Sequence, residues 1–165
     1  MAPFASSSWA HTRIVFVEYS VHLRHPVKAA KAVLASGPNE WFARLDDSGE
    51  AGVGPHVAGV WLRKKVAIEV GEPVTTGDWT EVAVTWKATF IERLFPVMVG
   101  KLELAPVDAR TTRVTVCGMY DPPLGQLGKQ LDDALLHKVA HATVRDLAET
   151  IGKTIDVAAS TQALV

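Results

Sequence analysis

The chain has 165 residues, 48% of them hydrophobic and 21% charged, with 17 Lys+Arg against 18 Asp+Glu and a formal net charge of -1. That length suits one ordered domain able to bury roughly two-thirds of its unfolded surface. Near-neutral charge excludes the electrostatic footprint of a nucleic-acid or anionic-membrane binder. A single cysteine, Cys117, excludes an intramolecular disulfide and a cysteine-rich zinc site.

The first residues have neither a basic n-region nor a sustained apolar stretch, and no run approaches the length needed to cross a bilayer. The expected location is the cytoplasm, with no insertion into a membrane. Residues 1–11 read as an N-terminal tail, 12–155 as the domain and 156–165, rich in Ala, Ser and Thr, as a frayed end.

Residues 12–21 are β-branched and aromatic on both faces (Ile14, Val15, Phe16, Val17, Tyr19, Val21), which predicts a strand but leaves its inward face open. Pro26 suits the first position of a short helix carrying Ala29, Ala30, Ala32, Val33 and Leu34. Gly37-Pro38 breaks it, and Asn39 can cap a second short helix over residues 40–45, which contains Trp41 and Phe42. Residues 46–54 read as a loop.

The middle alternates with period two. Leu62, Val66, Ile68 and Val70 are apolar between Arg63, Lys65 and Glu69, with Lys64 out of pattern. Val82, Val84, Trp86, Ala88 and Phe90 are apolar between Glu81, Thr85, Lys87 and Thr89. Met98, Leu102 and Leu104 oppose Lys101 and Glu103, and Val114, Val116 and Tyr120 oppose Arg113 and Thr115. Such alternation predicts an antiparallel meander with one buried and one wet face, its hairpins at residues 72–78 and 106–110.

Tyr120-Asp121-Pro122-Pro123 stops the sheet, and a helical pattern runs over residues 124–155. Leu124, Leu127, Leu131, Leu135 and Ala142 share one face. Leu136, Ala140, Val144, Leu147, Ile151 and Ile155 share nearly the opposite one. At 1.5 Å per residue the helix would be about 45 Å long and must cross the whole sheet. A one-sided sheet needs a partner layer, and this helix is the candidate. Gly100 and Gly118, at inward positions, leave either unfilled space or bends that let the sheet curve.

This order of elements resembles the SRPBCC superfamily, the START and birch-pollen-allergen-like helix-grip fold. The likeness covers residues 12–155. Its more specific points are Trp41-Phe42 after Gly37-Pro38, Leu94-Phe95-Pro96-Val97, and Tyr120-Asp121-Pro122-Pro123-Leu124-Gly125-Gln126-Leu127-Gly128. Residues 132–140, Asp-Asp-Ala-Leu-Leu-His-Lys-Val-Ala, are similar to bacterial polyketide cyclase/dehydrase-like proteins. The resemblance implies an α+β fold in which a curved antiparallel sheet of six or seven strands wraps a long C-terminal helix, with two short helices after the first strand. It also implies a hydrophobic tunnel for a lipid, polyketide, sterol or isoprenoid-like molecule, with no catalytic triad and no cofactor to carry over.

The predicted cavity wall comprises Val82, Val84, Trp86, Phe90, Met98, Gly100, Leu102, Val116, Gly118, Tyr120, Leu131 and Leu135. Tyr120, Trp86 and Trp61 could orient a ligand, or simply fill the core. Glu18, His56 and Arg93 are the polar candidates. Glu18 would be a buried carboxylate if the face of Ile14 and Phe16 points inward, and wet if it does not. Arg93 follows Glu92 in a loop and suits a solvated pair.

His137 and His141 stand four apart on the helix, as metal ligands can, but without a third ligand; His56 or Asp133 would be a guess, so no metal is expected. Arg63-Lys64-Lys65 reads as a solvated edge. Cys117 has no sequence neighbour that would make it reactive. Gly52-Val53-Gly54-Pro55 lacks the spacing of a phosphate cradle.

Three functions follow: binding of a hydrophobic small molecule, an aromatase/cyclase acting on a tunnel-bound polyketide, or a co-chaperone-like interaction protein. The last predicts a filled interior and an apolar second face on the long helix, a face that would also suit a homodimer.

Overall fold

The structure, a computed structural model, describes residues 14–41, 50–53, 56–57, 60–61, 64–88, 97–122 and 133–162. The elements run β1 (Val15–Leu23), α1 (Val27–Ala35), α2 (Pro38–Trp41), β2 (Glu50–Val53), β3 (His56–Val57), β4 (Val60–Trp61), β5 (Lys64–Val70), β6 (Val74–Thr76), β7 (Trp79–Ala88), β8 (Met98–Asp108), β9 (Thr111–Tyr120) and α3 (Asp133–Gln162). The main sheet is antiparallel, ordered β1-β9-β8-β7-β5-β2, with β6 also paired to β7; β3 and β4 form a separate pair. A curved antiparallel sheet against a long C-terminal helix, with short helices after the first strand, is the architecture the sequence predicted.

Period-two patterning sets the faces. Val17 and Leu23 of β1, Ile68 of β5, Val82, Val84 and Trp86 of β7, Met98, Leu102 and Leu104 of β8, and Val114, Val116 and Tyr120 of β9 are all buried on the concave side. The convex side is mostly polar. There Lys101 lies between Glu103 and Glu81, whose hydrogen bonds hold its ammonium above the usual lysine range. Ser20 and Thr115 share a hydroxyl hydrogen bond of 2.8 Å on the same side.

Several local expectations are corrected. Residues 50–53 form β2, where a loop was expected, because they find the edge of β5. The 72–78 connection contains β6, which folds back on β7 through a turn at Gly77, whose φ of +59° favours glycine. α2 starts at Pro38, so Asn39 lies within it and does not cap it. α3 continues past Ile155 to Gln162 in place of a frayed end, with Ala159 buried and Ser160 Oγ 3.2 Å from His25 Nε2.

On α3 the buried positions are Ala140, Val144, Leu147, Ala148, Ile151, Ile155 and Ala159, spaced three or four apart on one face. This is the second of the two predicted faces. Residues 124–131 lie outside the described residues, so the first face has no counterpart here beyond Ala142, which is half-buried. The helix packs tightly on β1 at Gly152, where a Cβ would lie 2.6 Å from Val21 Cγ2. α1 closes the same end with Ala30, Val33 and Leu34. The Thr112 hydroxyl donates to the His25 carbonyl at 2.8 Å, tying β9 to the β1–α1 link.

Candidate functional site: the concave face of the sheet

The inner face is a grid of side chains fixed by strand register. One row crosses the strands as Val17, Gly118, Gly100, Val84 and Val70. The neighbouring row toward the strand ends includes Trp86, paired with Met98 on one side and Ile68 on the other. A third row is Tyr19, Val116, Leu102 and Val82. Two adjacent glycines therefore cut a notch in the middle of an otherwise bulky apolar surface.

The notch is occupied from the side. A Cβ at Gly118 would lie 2.7 Å from Trp86 Cη2, 3.0 Å from its Cζ2 and 3.2 Å from Met98 Cε. The indole thus reaches from β7 across β8 to rest on β9. At Gly100 the constraint is backbone: a Cβ would fall 2.0 Å from the Cys117 carbonyl oxygen and 2.8 Å from Gly118 Cα. The expectation of unfilled space at these glycines is corrected at Gly118, which makes room for the Trp86 ring. At Gly100 the bend reading is the one that fits.

Trp86 carries a chemical anomaly on this face. The residue is 2% exposed, and its Nε1 donor is buried without a hydrogen-bond partner among the described residues. A buried donor left unpaired costs about 1–3 kcal/mol, so native interiors rarely keep one without a reason.

The remaining predicted wall residues divide clearly. Val82 and Leu102 are wholly enclosed, and Val84, Met98, Val116 and Tyr120 nearly so, all inward as expected. Phe90 and Leu131 lie outside the described residues, and so does the side chain of Leu135. Among the polar candidates, Glu18 is corrected to the wet face: it is exposed, beside the equally exposed Phe16, because Val17 and Tyr19 turn inward. Its partner in register is Cys117, also on the convex side. Burial pushes the Cys117 thiol up, so the sulfur is kept as an unreactive thiol. Arg93 and the side chain of His56 fall outside the described residues, as does that of Trp61.

His137 and His141 are exposed with ring centroids 6.4 Å apart, and His141 also meets the Tyr19 ring edge-on at 6.4 Å. Among the described residues no group of three or more His, Cys, Asp or Glu side chains could hold a metal ion. The other predicted face of α3 rests on Leu124, Leu127, Leu131 and Leu135, which lie outside the described residues or have undescribed side chains; among the described residues of the helix, Val157 is the one large hydrophobic side chain exposed. The signal missed in the sequence was the pairing of Trp86 with Gly118. It lies in register across three strands and in no local spacing.

No family model matches the chain, and no curated protein matches it. Solved structures do. The Zhui aromatase/cyclase from Streptomyces sp. R1128 superposes with a TM-score of 0.53 at 15% identity, covering 92% of this chain and 96% of that one. Ara h 8.0201 gives 0.53 at 11% identity, covering 90% and 99%. A conserved protein from Geobacillus kaustophilus gives 0.50 at 13% identity, covering 86% and 95%. At these identities the likeness establishes the fold: the chain has the helix-grip architecture across nearly its whole length. No helix among the described residues is long and apolar enough to cross a membrane.

Proposed function

We propose that this helix-grip protein binds a hydrophobic small molecule against the concave face of its sheet, at the end where Trp86, Met98, Tyr120 and Ile68 meet. The observation that carries the reading is the buried, unpartnered Trp86 Nε1. The described partners of Trp86 in register, Ile68 and Met98, are apolar, so a ligand would be held by burial of hydrocarbon at about 25 cal/mol per Å². One oxygen acceptor, a keto, ester or hydroxyl group, would complete the indole hydrogen bond and fix its orientation. The enclosed packing of Val82 and Leu102 favours a position for such a molecule toward Trp86. The likeness to an aromatase/cyclase is consistent with a polyketide-like occupant. With Glu18 on the convex face, no described acid or base is assigned a catalytic role.

Denaturing mass spectrometry of the organic extract of freshly purified protein tests this. A stoichiometric apolar molecule bearing an oxygen acceptor is expected, and Trp86→Phe should weaken its binding by up to about tenfold, the worth of one hydrogen bond of roughly 0.5–1.5 kcal/mol. An empty extract, with no thermal shift from fatty acids, sterols or aromatic polyketides, would overturn the proposal.

A further inference from the structure

A second concavity lies outside the sheet–helix interior. Residues 21–24 at the end of β1 and residues 149, 152, 153 and 156 of α3 border an open cleft of about 460 Å³. At its wall helix and strand touch at Gly152 and Val21, where no further side chain fits.

Its charges are unevenly satisfied. Glu149 Oε1 accepts from Arg145 Nε at 3.1 Å and from the Tyr19 hydroxyl at 3.3 Å. Asp156 Oδ1 lies 3.3 Å from His25 Nε2. Both carboxylates of the cleft are therefore engaged with groups of this chain. Arg24, Lys153 and His22 line the same cleft, are exposed, and have no hydrogen bond or ion pair among the described residues. The concave wall thus offers two cations unpaired among the described residues, Arg24 and Lys153, beside carboxylates already engaged within the chain. Its volume falls within the roughly 300–1,000 Å³ of small-molecule sites, well above what a bare oxyanion fills.

We propose that this cleft binds a small organic anion. Its phosphate or carboxylate would be held by the Arg24 guanidinium, which can bond two oxygens at once, and by the Lys153 ammonium. His22 adds a third donor, and the carbon body rests on Val21. This site is independent of the interior one, and either stands if the other fails.

The test is a titration followed by amide NMR shifts, with phenyl phosphate as probe and phenol as its uncharged counterpart. Phenyl phosphate is expected to give saturable shifts at Gly152 and residues 21–24, weaker in high salt. Binding should fall at least tenfold in the double variant Arg24→Gln, Lys153→Gln, with the rest of the spectrum unchanged because both side chains are exposed. Lys138→Gln, which removes an exposed charge of α3 outside the cleft, should bind as the parent does. No saturable shift, an equal response to phenol, or equal weakening in Lys138→Gln would sink the proposal.

Discussion

Gly100 and Gly118 stand side by side in register yet are glycines for different reasons. At Gly118 the neighbours are the ends of flexible side chains, the Trp86 ring and the Met98 methyl, which can shift at a cost. At Gly100 the obstacle is the Cys117 carbonyl and the Gly118 Cα, which cannot move without breaking the β8–β9 ladder. Gly118→Ala should therefore destabilise by about 1–3 kcal/mol, the range for overpacking, with a change in Trp fluorescence as the indole leaves the notch. Gly100→Ala should cost more than Gly118→Ala in urea unfolding; the reverse order would show that the β8–β9 backbone can relax. Nothing in the local sequence distinguishes the two, since each interrupts an alternating strand in the same way. For Glu18 the sequence left two faces open, because Phe16 and Val17 are both bulky and apolar. Only the neighbouring strand, which presents Gly118 and Val116 inward opposite Val17 and Tyr19, selects one.

Among the elements, the β8–β9 hairpin shows a turn specified by its own residues. Asp108 Oδ1 accepts from the Arg110 backbone N–H at 2.7 Å, and that bond, with further bonds from Thr111, holds the carboxyl below its usual range. A carboxyl depressed in the folded state stabilises the fold above the ordinary carboxylate range. That contribution is lost as pH falls through the folded value. Asp108→Asn should accordingly be less stable than the parent at neutral pH, the gap closing toward pH 2 in thermal melts; a gap of constant size would mean that charge plays no part. The strands β5, β7, β8 and β9 were legible because each alternates over most of its length, Lys64 of β5 being out of pattern. β2 and β6 were not: four- and three-residue strands carry too little periodicity and exist only through their longer partners.

At the scale of the whole molecule, α3 and the sheet are two layers that neither could form alone. Ile151 is 2% exposed at the centre of the helix's buried face, so Ile151→Ala should cost about 2–5 kcal/mol in urea unfolding. Val157, on the same helix but 59% exposed, should tolerate Ala within about 0.5 kcal/mol. Similar losses at the two positions would contradict the assigned face. The convex surface exposes Phe16, Met119 and Val99 in one row across β1, β9 and β8.

The sequence by itself determined the fold class, the meander, the buried face of four strands and the two apolar faces of α3. Those follow from periods of 2 and 3.6, which are local properties of the chain. Tertiary structure alone decided which face of β1 is inward, that the Trp86 ring fills the space above Gly118, and that Arg24 and Lys153 share one cleft. Each depends on residues brought together from distant strands or from a strand and a helix, and strand register and helix docking appear in no local pattern.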